Sequence, residues 1–139
     1  MSAYFSSLTG REAGDPRSVD INQRPLTLLA DAPGVAWATF STLCEEPRSA
    51  VDYVEMAREY HTVLIEQIPL LDRDKEDEAR RFINLVDEFY DRNVKLIATA
   101  ARAPEALYGG SKLRFEFDRT VSRLQEMRTQ EYLKTEHRP

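Results

Sequence analysis

Glycine is scarce in this chain: five residues in 139, at positions 10, 14, 34, 109 and 110. A cradle for nucleotide phosphates needs several glycines close together, because backbone amides must approach the oxygens without a Cβ in the way. No Gly-x-x-x-x-Gly-Lys-Ser/Thr run and no Gly-x-Gly-x-x-Gly run occurs. Gly109-Gly110-Ser111-Lys112 follows a short helical stretch rather than a strand and lacks the first glycine, so it reads as a turn. Cysteine is scarcer still. Cys44 stands alone, which rules out an internal disulfide and fits a reducing compartment. His61 and His137 are the only histidines, too few with one cysteine for a zinc site of usual composition. No Gly-x-Ser-x-Gly elbow accompanies His61, so a nucleophilic triad has no support. At a helix–strand junction, His61 reads as a partly buried structural residue.

Long apolar runs are missing as well. Stretches such as Val63-Leu64-Ile65 are far too short to span a bilayer. The first eight residues lack the basic region and apolar stretch of a signal peptide. A cytoplasmic location without membrane insertion is the expectation. Positive charge is in deficit, with 19 Lys and Arg against 24 Asp and Glu and a net charge of -5. Such a surface repels a phosphate backbone, and the sequence offers short Arg pairs but no basic run, so no nucleic-acid partner is expected.

What is present is an ordinary globular balance, 42% apolar and 31% charged, in a length that suits one domain with a real core. Residues 3–8 form a helical turn ending at Gly10, and residues 11–18 a loop, so 1–18 is set apart from a single domain over 19–139. Residues 19–30 hold one or two short strands with Pro25 at an edge or strand start. A turn at Ala32-Pro33-Gly34 leads into a strand over 35–40, and the two make a hairpin. Ser49 with Asp52 three residues on opens a helix that ends near Tyr60. Residues 62–68, β-branched, mostly apolar and followed by Pro69, form a buried strand. From about 75 to 93, Ala79, Phe82, Ile83, Val86, Phe89 and Tyr90 line one helical stripe, with Glu76–Arg80 and Asp77–Arg81 as i, i+4 pairs on the outer face. A second buried strand is expected over 94–99, a short helix over 104–108, and a final helix from about 117 to 134 with Val121, Leu124, Met127 and Leu133 inward. Strand–helix–strand units this short favour parallel pairing with right-handed crossovers. The fold class is therefore α/β, a small layered domain with a mainly parallel sheet and a long C-terminal helix.

Few side chains suggest chemistry. Glu66 interrupts an apolar strand, and pairing with a nearby arginine is its expected role. Asp87 and Glu88 are adjacent on a helix, so they point in different directions and do not form a catalytic pair. The arginines are the better candidates. Arg80 and Arg81 lie near a helix N-terminus, where positive charge is mildly disfavoured, which hints at acidic partners. Arg119 and Arg123 are i, i+4 on the last helix; Glu126 could pair with Arg123, leaving Arg119 the freer donor. All four are either structural or partner-facing.

Several long motifs, in order, carry a family resemblance. They are Phe40-Ser-Thr-Leu-Cys-x-x-x-Arg48-Ser49-x-x-Asp52-Tyr53, Tyr60-His61-Thr62-Val63 with Ile68-Pro69, and Glu78-Ala-Arg-Arg-Phe-Ile-x-Leu-Val-Asp-Glu-Phe-Tyr90 with Val94-Lys-Leu-Ile. Phe115-Glu-Phe-x-Arg119-x-x-Ser-Arg123-Leu-x-Glu-Met127 and Glu131-Tyr132-Leu133 complete the set. From about Val19 onward the chain resembles the C-terminal region of the ZapE / AFG-like ATPases, AAA-related P-loop proteins linked to cell division in bacteria and to inner-membrane proteins in mitochondria. Glu66-Gln67 stands where the family commonly has Asp-Val. The resemblance implies that Walker A, Walker B and the first sensor lie N-terminal to this region, so no catalytic residue carries over. It implies no cofactor in this chain, ATP and Mg in an intact parent, and the parent's N-terminal ATPase half as a partner, with a cell-division or membrane-associated protein as a further one. The role expected is assembly of the parent or coupling of its hydrolysis to a substrate protein. The alternative is a free-standing interaction module without nucleotide.

Overall fold

A computed structural model describes all residues, Met1–Pro139. The chain opens with α1 (Ser2–Thr9), closed by Gly10 in the left-handed region at φ 69°. A hairpin of β1 (Arg17–Ile21) and β2 (Arg24–Leu28) follows. Its turn residues Asn22 and Gln23 take φ 52° and 67°, as a two-residue loop between right-twisted strands requires. This ribbon pairs only with itself, and Pro25 sits in its second strand. The hairpin expected between residues 19–30 and 35–40 is instead made by a short β3 (Ala30–Ala32) and β4 (Val35–Thr39), turning at Pro33-Gly34. Gly34 has φ 77°, where an L side chain is strained, and a Cβ there would meet the His61 ring at 2.4 Å and push it aside. His61 itself is exposed rather than partly buried.

After β4 come a single wide π-type turn (Ser41–Glu45) and α2 (Ala50–Glu59). The Asp52 carboxylate accepts from the Ser49 amide at 3.1 Å, satisfying a first-turn donor. The same buried carboxylate takes the Arg24 guanidinium and the Asn22 amide, so the helix start also tethers the β1–β2 ribbon. Next are β5 (Thr62–Ile68), α3 (Glu76–Asp91) after one 3-10 turn, and β6 (Lys95–Ala100). The sheet order is β3-β4-β5-β6, with β4, β5 and β6 parallel and β3 the antiparallel edge. The fold is thus α/β with a mainly parallel sheet. Because β4, β5 and β6 are neighbours in chain order, both right-handed crossovers place α2 and α3 on one face.

That face carries the main core, where Phe40, Tyr53, Met56, Ile65, Phe82, Phe89 and Phe117 are buried together. The opposite face holds a small cluster of Ala30, Ala32, Val35, Trp37 and Leu64 under Phe5 of α1. The stripe of α3 faces inward as its periodicity requires, and Leu85 is buried beside it. The strand expected to be buried over 94–99 is different: β6 is the last strand of the sheet and is half-buried at its start and exposed from Ala98 onward.

The C-terminal part comprises α4 (Pro104–Leu107), α5 (Arg114–Glu126) and α6 (Gln130–Lys134). The single helix expected over 117–134 starts three residues earlier and breaks at Met127–Thr129. Thr129 caps the new start by accepting from the Tyr132 amide. The break swings Tyr132 inward, where its hydroxyl donates to the Val94 carbonyl at 2.8 Å. Leu133, expected inward, is exposed in consequence.

Candidate functional site

Helix α5 packs on α3 rather than on the sheet, and polar contacts of one repeating offset mark the contact. Arg80 meets Glu116 at 3.6 Å, Asp87 is ion-paired with Arg123, and the Tyr90 hydroxyl donates to Glu126, the partners being 36 residues apart each time. A constant offset means that the two helices run in the same direction along their contact. Between the polar contacts lie rings: Phe82 and Phe117 at 6.3 Å between centroids, and Tyr108 and Phe117 at 5.1 Å. The Arg123 guanidinium also lies 5.2 Å over the Tyr90 ring. The hydrogen bond to Glu126, with some burial, raises the Tyr90 pKa above its ordinary value.

Three of the four candidate arginines are therefore held inside the domain. Arg80 takes Glu116 rather than Glu76, because Glu76 is occupied by the Tyr108 hydroxyl at 2.6 Å and the Lys112 amide at 3.0 Å. Arg81 does not pair with Asp77. It reaches across to donate to the Cys44 carbonyl at 3.0 Å, capping the turn after β4. Arg123 takes Asp87 on α3 in place of Glu126 on its own helix. Asp87 and Glu88 are each paired with arginine, the latter with Arg92 at 3.9 Å.

Arg119 is the exception. It is exposed, makes no ion pair, and lies 5.7 Å over the ring of Phe115, one helical turn earlier. Phe115 is 73% exposed, the most exposed large apolar side chain of the chain. With Phe117 and Thr120 turned to the core, residues 115 and 119 form the outward face of α5. A guanidinium over an uncovered aromatic ring offers forked donors and apolar area together, the combination enriched at the centres of protein interfaces. Phe115 lies before the expected helix start near 117, and its signal in the sequence is the pattern Phe115-x-Phe117 on a helix, where only one ring can face the core.

No nucleotide cradle is built at the glycine pair. A Cβ on Gly110 would meet a Glu76 carboxylate oxygen at 2.0 Å, and Gly109 lies against Asp72. Carboxylates close that turn, so its charge is wrong for phosphate. At the carboxyl ends of the parallel strands, where open α/β sheets bind ligands, the connection after β4 contains no glycine. Glu66 lies there, half-buried and without the arginine partner expected of it. The neighbouring Gln67 sits in a bulge with φ 63°, its amide donating to the Thr99 hydroxyl at 3.0 Å.

The fold is an α/β domain with a mainly parallel sheet, and α5 packs in parallel on α3. The AFG1-like ATPase family model matches residues 1–136, and the chain belongs to that family. It is 43% identical over 137 residues to the cell division protein ZapE of Escherichia coli K12, a match covering 99% of this chain and 36% of that protein. It is 31% identical over 166 residues to lactation elevated protein 1 homolog B of Danio rerio, covering 95% of this chain and 33% of that protein. The chain thus spans about a third of the length of the curated relatives it matches. No solved structure matches it. No helix is long and apolar enough to cross a membrane.

Proposed function

We propose that this domain works within an ATP-hydrolysing AFG1-like protein as a part that binds no nucleotide, and that the Phe115–Arg119 face of α5 docks onto the ATPase half. In that role it couples hydrolysis to handling of a protein substrate in the cytoplasm. The ZapE relative carries cell division in its name, and we extend that process to this chain. The observation that carries the reading is the division of labour among the arginines. Arg80, Arg81 and Arg123 are consumed by internal partners, whereas Arg119 is left exposed over an exposed ring. The Arg119 guanidinium makes no hydrogen bond and no ion pair inside the domain, its one contact being the exposed Phe115 ring.

The test grafts this chain into the E. coli relative in place of the matching segment and compares the graft with its Arg119→Ala form. ATPase activity should fall at least about tenfold, as for loss of a charge-assisted contact worth about 1.4 kcal/mol or more, while the melting temperature of the 139-residue chain stays put. Unchanged activity, or a chain destabilised by the substitution, contradicts the proposal.

A further inference from the structure

The helix layer stops short of the last strand. Because α5 rests on α3, β6 is covered on its helical side only by the ends of α4 and α5, and an apolar groove of about 410 Å³ opens beside it. Leu96, Ala98 and Ala100 form one wall, and Leu107, Leu124 and Met127 the other. The strand edge itself is free. Lys95 donates its amide to the His61 carbonyl and Ala101 donates to Ile68, so the odd-numbered residues of β6 face β5. The amides and carbonyls of Leu96, Ala98 and Ala100 then point away from the sheet, where no further strand lies. The C-terminal tail closes this edge only at its beginning, where the Lys95 ammonium is held by the Tyr132 and Thr135 carbonyls.

Edges of this kind are ordinarily blunted by a lysine, a proline, a bulge or great shortness. The opposite edge strand, β3, has only three residues. From Leu96 to Ala100, β6 has none of these devices on its side-chain row and presents alanines that admit a close neighbour. At the far end of the groove stand two guanidiniums, Arg102 and Arg128, and neither makes a hydrogen bond or an ion pair. Glu105 is the nearby acid; its own backbone amide and the Gln125 amide hold its pKa below the usual value, Arg128 contributing less. Two guanidiniums against the one Glu105 carboxylate leave a local excess of positive charge beside an apolar floor, which selects against a basic occupant and for a carboxylate.

We propose that this groove docks an extended segment of a partner protein, which adds as a strand to β6 and directs a carboxylate to Arg102 and Arg128. Main-chain bonds to Leu96, Ala98 and Ala100 hold the segment, and its alternate side chains, small and apolar, enter the groove. The acid at its end supplies selectivity. The site is separate from the Phe115–Arg119 face, so neither proposal depends on the other.

The probe is a fluorescein-labelled octapeptide of alternating valine and serine ending in two aspartates, amidated at its terminus, titrated with the 139-residue chain by fluorescence anisotropy. Saturable binding tighter than about 1 mM is expected. Exchanging the aspartates for lysines, or making Arg102→Glu with Arg128→Glu, should weaken it at least about tenfold, an effect of the size of a lost charge-assisted contact. N-methylation of alternate peptide amides should abolish it, because strand addition needs those donors. A free carboxyl terminus that binds where the amidated probe does not assigns the carboxylate to a chain end, within the same proposal. Equal binding by the lysine or N-methylated peptides overturns it. So does an absence of binding by every peptide, including the case in which sedimentation shows the edge filled by a second copy of the chain.

Discussion

Asp87 on α3 and Arg123 on α5 are ion-paired across the helix contact, each side chain 31% exposed, and the same guanidinium covers the Tyr90 ring. One turn before Arg123 on the same helix, Arg119 has no such partner. Two arginines of one family motif therefore differ in kind: one closes the α3–α5 seam and the other faces outward.

Stability should separate them. Arg123→Ala removes a half-buried ion pair and a ring contact, each worth about 0.5–1 kcal/mol, for a loss of about 1–2 kcal/mol. Arg119→Ala should stay within about 0.5 kcal/mol, as an exposed substitution does. Urea midpoints of the two variants decide the matter, and equal losses would put Arg119 inside the fold.

Phe82 is the keystone of the α3 stripe, buried between Phe40 at 6.0 Å and Phe117 at 6.3 Å. Phe82→Ala should cost about 3–5 kcal/mol, the range for emptying a buried aromatic site. Chemical denaturation showing a loss under about 1 kcal/mol would mean that α3 does not face the core in this way.

Alkaline pH should weaken the domain through its buried thiol and phenols. Burial lifts the Cys44 thiol from its ordinary 9.0 to about 12, with the Tyr53 hydroxyl and the Arg81 charge opposing only in part. Burial also raises Tyr53, Tyr60 and Tyr132 above their ordinary 10.0. The folded state thus binds protons that the unfolded state has already lost. The Cys44 contribution is full below pH 9 and disappears between 9 and about 12, at about 1.4 kcal/mol per pH unit. Urea midpoints should fall from pH 8 to pH 10.5, less steeply in Cys44→Ala. A flat or rising midpoint would contradict the buried thiol, as would rapid alkylation of native Cys44 at pH 8.

Much of the fold was legible because its signals are local. The stripe of α3, the Ser49–Asp52 start of α2 and the Thr62–Ile68 run each state their element within a few residues. What was not legible depends on partners distant in sequence. Nothing near Asn22 says that β1 and β2 will pair only with each other, and nothing near Ala98 says that β6 will be an edge. The arginine partners were misassigned for the same reason. Intrahelical spacing suggested Glu76–Arg80, Asp77–Arg81 and Arg123–Glu126, whereas packing of α5 on α3 brought Glu116 and Asp87 closer. Of the candidate site, Arg119 was visible in the sequence as the less committed donor, but Phe115 beneath it was not.

On the proposed function, the nucleotide chemistry of the AFG1-like family lies outside this chain. Calorimetric titration of the 139-residue chain with Mg·ATP measures it directly. The Gly109–Gly110 turn is filled by carboxylates and no loop here gathers glycine amides, so the expected result is heat of dilution alone. Saturable binding in the micromolar range would contradict it.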